Sequence, residues 1–237
     1  MATLADVPAG RMTFWQKLAL GLALFIVFGF AQFAARGFVD YGKAPVWLHF
    51  HGIAMLSWLA LIVVQPTLAA RGNLALHRRL GWLGAALAAL IVGLGSYVSV
   101  QTIAIAHVPP FFTAPYFLAL TQIGVVAFGG LVVAAILRRR ETQWHQRLIM
   151  GATILIMEPA LGRVLPMPLM VPWGEWAVMV VQLLVLGIVM RHDRKTLGAI
   201  HPATTSVVIV VVLTHILVEL AARTQFMASA AARIAGA

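Results

Sequence analysis

Residues 113–137 read TAPYFLALTQIGVVAFGGLVVAAIL, an unbroken apolar run without one charged side chain. At about 1.5 Å per residue, a helix of that length crosses the roughly 30 Å of a bilayer's hydrocarbon core. Working outward, six more runs of the same character appear, at 15–34, 46–69, 81–105, 146–166, 174–190 and 203–222. Short loops join them, one a proline turn at Pro109-Pro110, another rich in proline and methionine from Pro166 to Pro172. The expected fold is all-α: a polytopic membrane helix bundle of about seven transmembrane helices, one transmembrane domain over residues 1–237.

Composition excludes the soluble alternative. Hydrophobic residues make up 62% and charged residues 10%, too few to cover a water-facing surface. The net charge of +10 sits at the ends of the apolar runs, where it marks topology and contacts anionic lipid. A nucleic-acid partner is not expected. The absence of cysteine removes disulfides, thiolate metal sites, c-type haem attachment and cysteine nucleophiles. The first run follows Arg11 and Lys17 and continues to about Ala35, long for a signal-peptide core, so it reads as a retained helix.

Orientation follows from the basic residues. With the N-terminus inside, the inner segments hold twelve: Arg11, Lys17, Arg71, Arg78, Arg79, Arg138, Arg139, Arg140, Arg147, Arg191, Arg194 and Lys195. The outer segments hold five: Arg36, Lys43, Arg163, Arg223 and Arg233. The imbalance predicts N-inside, C-outside, in a bacterial inner membrane.

Helical spacing then selects inward faces. His51, Met55, Trp58, Ile62 and Gln65 form one stripe, and His201, Thr204, Val208, Val211 and His215 another, continued by Glu219. Arg147, Gly151, Ile154, Glu158 and Gly162 form a third. Polar groups in hydrocarbon are costly and turn inward, so the stripes are expected to converge. His51 and His215 each lie a few residues inside the outer boundary, with Glu158 slightly deeper. Pro159 follows Glu158 and leaves the carbonyl of Leu155 without its helical donor.

Facing imidazoles at one depth suit the axial ligation of haem b; two imidazoles and a carboxylate suit a transition metal. His and Glu together also suit a proton relay, with Glu158 as its catalytic carboxylate. The bland alternative is that these side chains glue helices together by hydrogen bonds. Arg163 is the expected counter-charge of Glu158, with Glu219 and Gln65 as supporting groups. At the inner boundary His77 and His145 are candidates for a second haem or metal site, the alternative being that they anchor helix ends at the headgroups.

Those two histidines open an internal echo, His77-Arg78-Arg79-Leu80 before the third run and His145-Gln146-Arg147-Leu148 before or at the start of the fifth. Motifs of other functions are missing. The lysines Lys17, Lys43 and Lys195 lie at run boundaries, which excludes a retinal Schiff base in the last helix, and no P-loop, dinucleotide fingerprint or H-E-x-x-H occurs. Leu76-His77-Arg78-Arg79-Leu80-Gly81-Trp82 and Trp144-His145-Gln146-Arg147-Leu148-Ile149-Met150 resemble signatures of a family of bacterial multi-helix membrane proteins with no established activity. The resemblance spans helices two to five, implies that fold and places weight on His77 and His145. In layout the chain is also distantly similar to transmembrane di-haem cytochromes b, which implies histidine pairs near each membrane face.

The expected function is therefore an intramembrane His/Glu site binding haem b or a metal for electron or proton transfer, with a membrane redox partner or larger complex. The alternative is a non-catalytic carrier or assembly factor for a small ligand, metal or lipid, or a structural subunit. Whether the protein is an enzyme stays open on this reading.

Overall fold

The computed structural model describes residues 11–236, and among them every regular element is helical. Six helices are long and apolar enough to cross a membrane. They are α1 (Phe14–Ala35), α2 (Val46–Ala70), α3 (Leu74–Ala104), α4 (Ala114–Leu137), α8 (Gly174–Leu197) and α9 (Pro202–Ala221). The run at 146–166 is not one helix but two, α5 (Thr142–Leu155) and α6 (Glu158–Val164), followed by the single turn α7 (Met167–Met170). A last helix, α10 (Gln225–Ala235), lies across the ends of α3 and α4, with Ala231 packed near Ile103 and Leu118. α10 is short and rich in alanine, without the apolar length that marks a crossing.

Capping sets where the helices begin. Thr13 and Gln16 form a reciprocal capping box at α1. Asn73 accepts from the Leu76 amide, so α3 starts seven residues before its apolar run and carries His77 in its first turns. His201 caps α9 through Nδ1, which accepts from the Ala203 amide at 3.1 Å. Gly198 at φ 80° ends α8, a conformation that a side chain disfavours.

α5 is the hub. It packs against α1, α4, α8 and α9, and Thr153 accepts from the Trp58 indole of α2 at 3.3 Å. Its residues from Met150 to Leu155 are buried, as expected for a helix surrounded on all sides. Gly151 makes the approach to α9 possible: a Cβ there would stand 2.5 Å from both methyl carbons of Val207. Valine has one stiff rotamer and cannot swing clear. Gly151→Ala is therefore expected to cost about 1–3 kcal/mol through overpacking. A lowered thermal midpoint in detergent checks this, with Gly162→Ala as control, since a Cβ at Gly162 meets nothing within 4 Å. An unchanged midpoint for Gly151→Ala would contradict the close α5–α9 packing.

Candidate functional site

The break between α5 and α6 organises the polar interior. Pro159 has no N–H, so the Leu155 carbonyl needs another donor, and Gln182 Nε2 of α8 supplies it at 3.0 Å. Gln182 is fully buried and its amide orientation follows from that bond, because a carbonyl only accepts. Its Oε1 then faces His215 Nε2 of α9 at 2.9 Å, so Nε2 must carry the hydrogen. The other ring nitrogen, Nδ1, lies 2.5 Å from Glu175 Oε1. A short contact of this kind holds one proton between two heavy atoms. Either the imidazole is neutral and Glu175 is protonated, or an imidazolium faces a carboxylate.

Glu175 and Gln182 lie seven residues apart on the buried face of α8, which runs through Val178, Leu186 and Val189 to Asp193. More carboxylate surrounds the pair. Glu158, in the first turn of α6, is near enough to Glu175 for their charges to repel. No hydrogen bond or ion pair reaches its carboxylate among the described residues. Tyr116 of α4 donates to Glu219 Oε1 at 3.0 Å, and Glu219 also pairs with the exposed Arg223 at 2.8 Å.

Several sequence expectations change here. Arg163 does not pair with Glu158; it donates to the Pro159 carbonyl at 2.7 Å and lies over the Phe30 ring at 4.1 Å. Five residues apart on α6, Glu158 and Arg163 stand about 140° apart around its axis, and Arg163 lies against α1. Glu219 supports Tyr116 rather than His215. His51 stands against α3, where a Cβ on Gly95 would come 3.9 Å from its Cε1, and its Nδ1 is buried without a partner. His215 has its partners on α8 instead.

Those contacts bear on the haem and metal expectation. At His215 one nitrogen carries hydrogen and the other faces a carboxylate, so no lone pair points to a shared cofactor with His51. No group of three His, Asp or Glu side chains comes together as a metal-ligand set among the described residues. The donors at this end do not fit haem b or a metal held by His51, His215 and Glu158.

At the opposite end the structure does bring the tetrad histidines together. The rings of His77 and His145 have centroids 6.3 Å apart with planes at 86°. His145 Nδ1 lies 2.9 Å from the Ala135 carbonyl, and Gln65 Nε2 donates to the His77 carbonyl at 3.3 Å.

Nearby, Arg147 and Asp193 form a buried ion pair. Arg147 reaches Asp193 Oδ1 through Nε at 3.0 Å and Nη2 at 2.5 Å. Asp193 Oδ2 accepts from the His201 amide at 3.1 Å and the Thr204 hydroxyl at 2.5 Å. Nη1 of Arg147 takes the Gln143 carbonyl at 2.9 Å. Every partner of this clamp is internal, which makes it a structural tie between α5, α8 and α9. Glu175, Gln182, Tyr116 and Asp193 were not anticipated from sequence. The spacing of Glu175, Gln182 and Asp193 along one face of α8 was the signal that could have found three of them.

Comparison with known protein families, curated proteins and solved structures finds no match. Fold and site alone define the class: a multi-spanning helical bundle of membrane type, enclosing a buried histidine–carboxylate cluster beside a broken helix.

Proposed function

We propose that this chain is a proton-handling protein of a bacterial inner membrane, with Glu175–His215 as its proton site and Glu158 as the neighbouring carboxylate that senses or receives the charge. In this reading α5 and α6 together make the fifth of seven crossings. The N-terminus is inside, and the His215 end faces outward. The observation that carries it is the Nδ1–Glu175 contact at 2.5 Å, which puts a proton between two groups of the bundle interior. Gln182 holds the ring by its other nitrogen, so a proton gained or lost at Nδ1 leaves the imidazole in place. Glu158 stands near enough to Glu175 that charge on one acts on the other. A membrane redox partner or a carried ligand would supply the coupled process.

A second reading keeps the same geometry and gives it no traffic: both ring nitrogens are satisfied, so His215 locks α8 to α9 as a static strut. Nitrogen-15 NMR of histidine-labelled protein separates the two, with His215 assigned by the signal lost in His215→Asn. Between about pH 5 and about pH 9, a proton site changes its Nδ1 resonance while Nε2–H persists, and Glu158→Gln moves the transition. A His215 spectrum constant across that range overturns the proton-handling reading and leaves the strut.

A further inference from the structure

Two of the buried polar groups left without a partner among the described residues, Gln65 Oε1 and His77 Nδ1, lie at the end of the bundle opposite His215, among α2, α3, α4 and α5; the others are His51 Nδ1 and Arg163 Nε. The Ala135 carbonyl only accepts, so His145 Nδ1 carries the hydrogen in their 2.9 Å contact, and Nε2 is left with its lone pair. No hydrogen bond engages that Nε2 among the described residues. His77 Nδ1 is buried without a partner. Gln65 donates through Nε2 to the His77 carbonyl, which leaves its Oε1 as an acceptor, also buried without a partner. Acceptors therefore collect here, and a neutral His77 adds one donor at most. Buried polar groups are seldom left unpaired, and neighbouring acceptors of this kind call for a shared electrophile, an ion or a water proton.

We infer that His77 and His145, supported by Gln65, form a binding site for a first-row transition-metal ion of the zinc and copper class, which imidazole favours. Ring separation agrees. With metal–nitrogen bonds of about 2.0–2.1 Å, two imidazoles on one ion have centroids about 5–6.5 Å apart, from a tetrahedral to a linear angle. The observed 6.3 Å lies near the linear end of that span, so a tetrahedral ion shared with Gln65 draws the rings together by about 1 Å. The Nδ1–H to carbonyl contact of His145 is the outer-shell bond that orients a ligating imidazole and fixes its tautomer. The Gln65 oxygen supplies a third donor of the hard kind, and water the remainder. This site shares no residue with the His215 cluster, so each stands or falls separately.

The test uses the full chain purified in mild detergent, stripped with a chelator, then titrated with Zn2+ by calorimetry and with Co2+ by visible absorption. One ion per chain is expected. His77→Gln and His145→Gln should each weaken binding about 10- to 100-fold or more, with Gln65→Leu at the lower end of that range. His215→Asn should leave it unchanged. On unmodified protein, Zn2+ should shift the His145 Nε2 nitrogen-15 resonance while Nδ1–H is retained, a readout that survives any folding defect in the variants. Absent binding, or binding unaltered by His77→Gln with His145→Gln and silent at His145 Nε2, overturns the site. A Soret band in the protein as purified, lost in the same variants, overturns the ion assignment in favour of haem.

Discussion

Arg147→Met is expected to destabilise the bundle by about 3–5 kcal/mol, the usual cost of removing one partner of a buried ion pair. The two side chains are 2% and 0% exposed, so the Asp193 carboxylate left behind has no water to turn to. The His201 amide and the Thr204 hydroxyl still reach its other oxygen, but they solvate a charge without neutralising it. Thermal unfolding in detergent measures the loss. The cost belongs to the orphaned charge rather than to the pair, so Arg147→Met combined with Asp193→Leu should recover part of it. Arg147→Lys should fall between, since an ammonium cannot reproduce two parallel N–H bonds to Oδ1. A single Arg147→Met variant within about 1 kcal/mol of the parent would show that the clamp is not a structural tie.

Gln182→Leu carries the second large effect, because one amide completes two buried groups. Its loss strands the Leu155 carbonyl at the helix break and the His215 Nε2–H. At about 1–3 kcal/mol for each unsatisfied group, the sum is about 2–6 kcal/mol. Gln182→Glu separates the halves: a carboxylate still accepts from His215 but no longer donates to Leu155. It should therefore keep the Nε2–H tautomer in a nitrogen-15 histidine spectrum and lose stability through the broken backbone contact and through burial of a further carboxylate beside Glu175. Should Gln182→Leu leave both the tautomer and the unfolding midpoint unchanged, the relay through Gln182 is not what orients His215.

Sequence reading succeeded where the physics is one-dimensional. The runs at 15–34, 46–69, 113–137 and 203–222 meet α1, α2, α4 and α9 within a residue or so at each end. The inward stripe from His51 through Trp58 to Gln65 is buried or half-buried along its length, as is the one from His201 to His215. Misses at the ends of runs share one cause. α3 begins at Leu74 and α8 continues to Leu197, because capping and hydrogen bonding carry a helix past the residues that hydrocarbon requires.

The site was half legible. His215, Glu158 and the unpaired Leu155 carbonyl followed from depth, charge and the chemistry of proline. Glu175 sits in the first turn of its helix, and in a linear reading an acid there looks like a boundary residue. Its role depends on His215, forty residues later, and only the packing of α8 on α9 sets them side by side.

From sequence alone came the helical membrane-type fold, the limits of four long helices and the carbonyl that Pro159 leaves unpaired, since apolar length, periodicity and a missing N–H act along the chain. Tertiary structure alone decided the partners: Glu175 and Gln182 for His215, Asp193 for Arg147, Phe30 rather than Glu158 for Arg163. A hydrogen bond or ion pair forms within about 3 Å, and neighbours at that range are set by which helices pack together and how each is rotated.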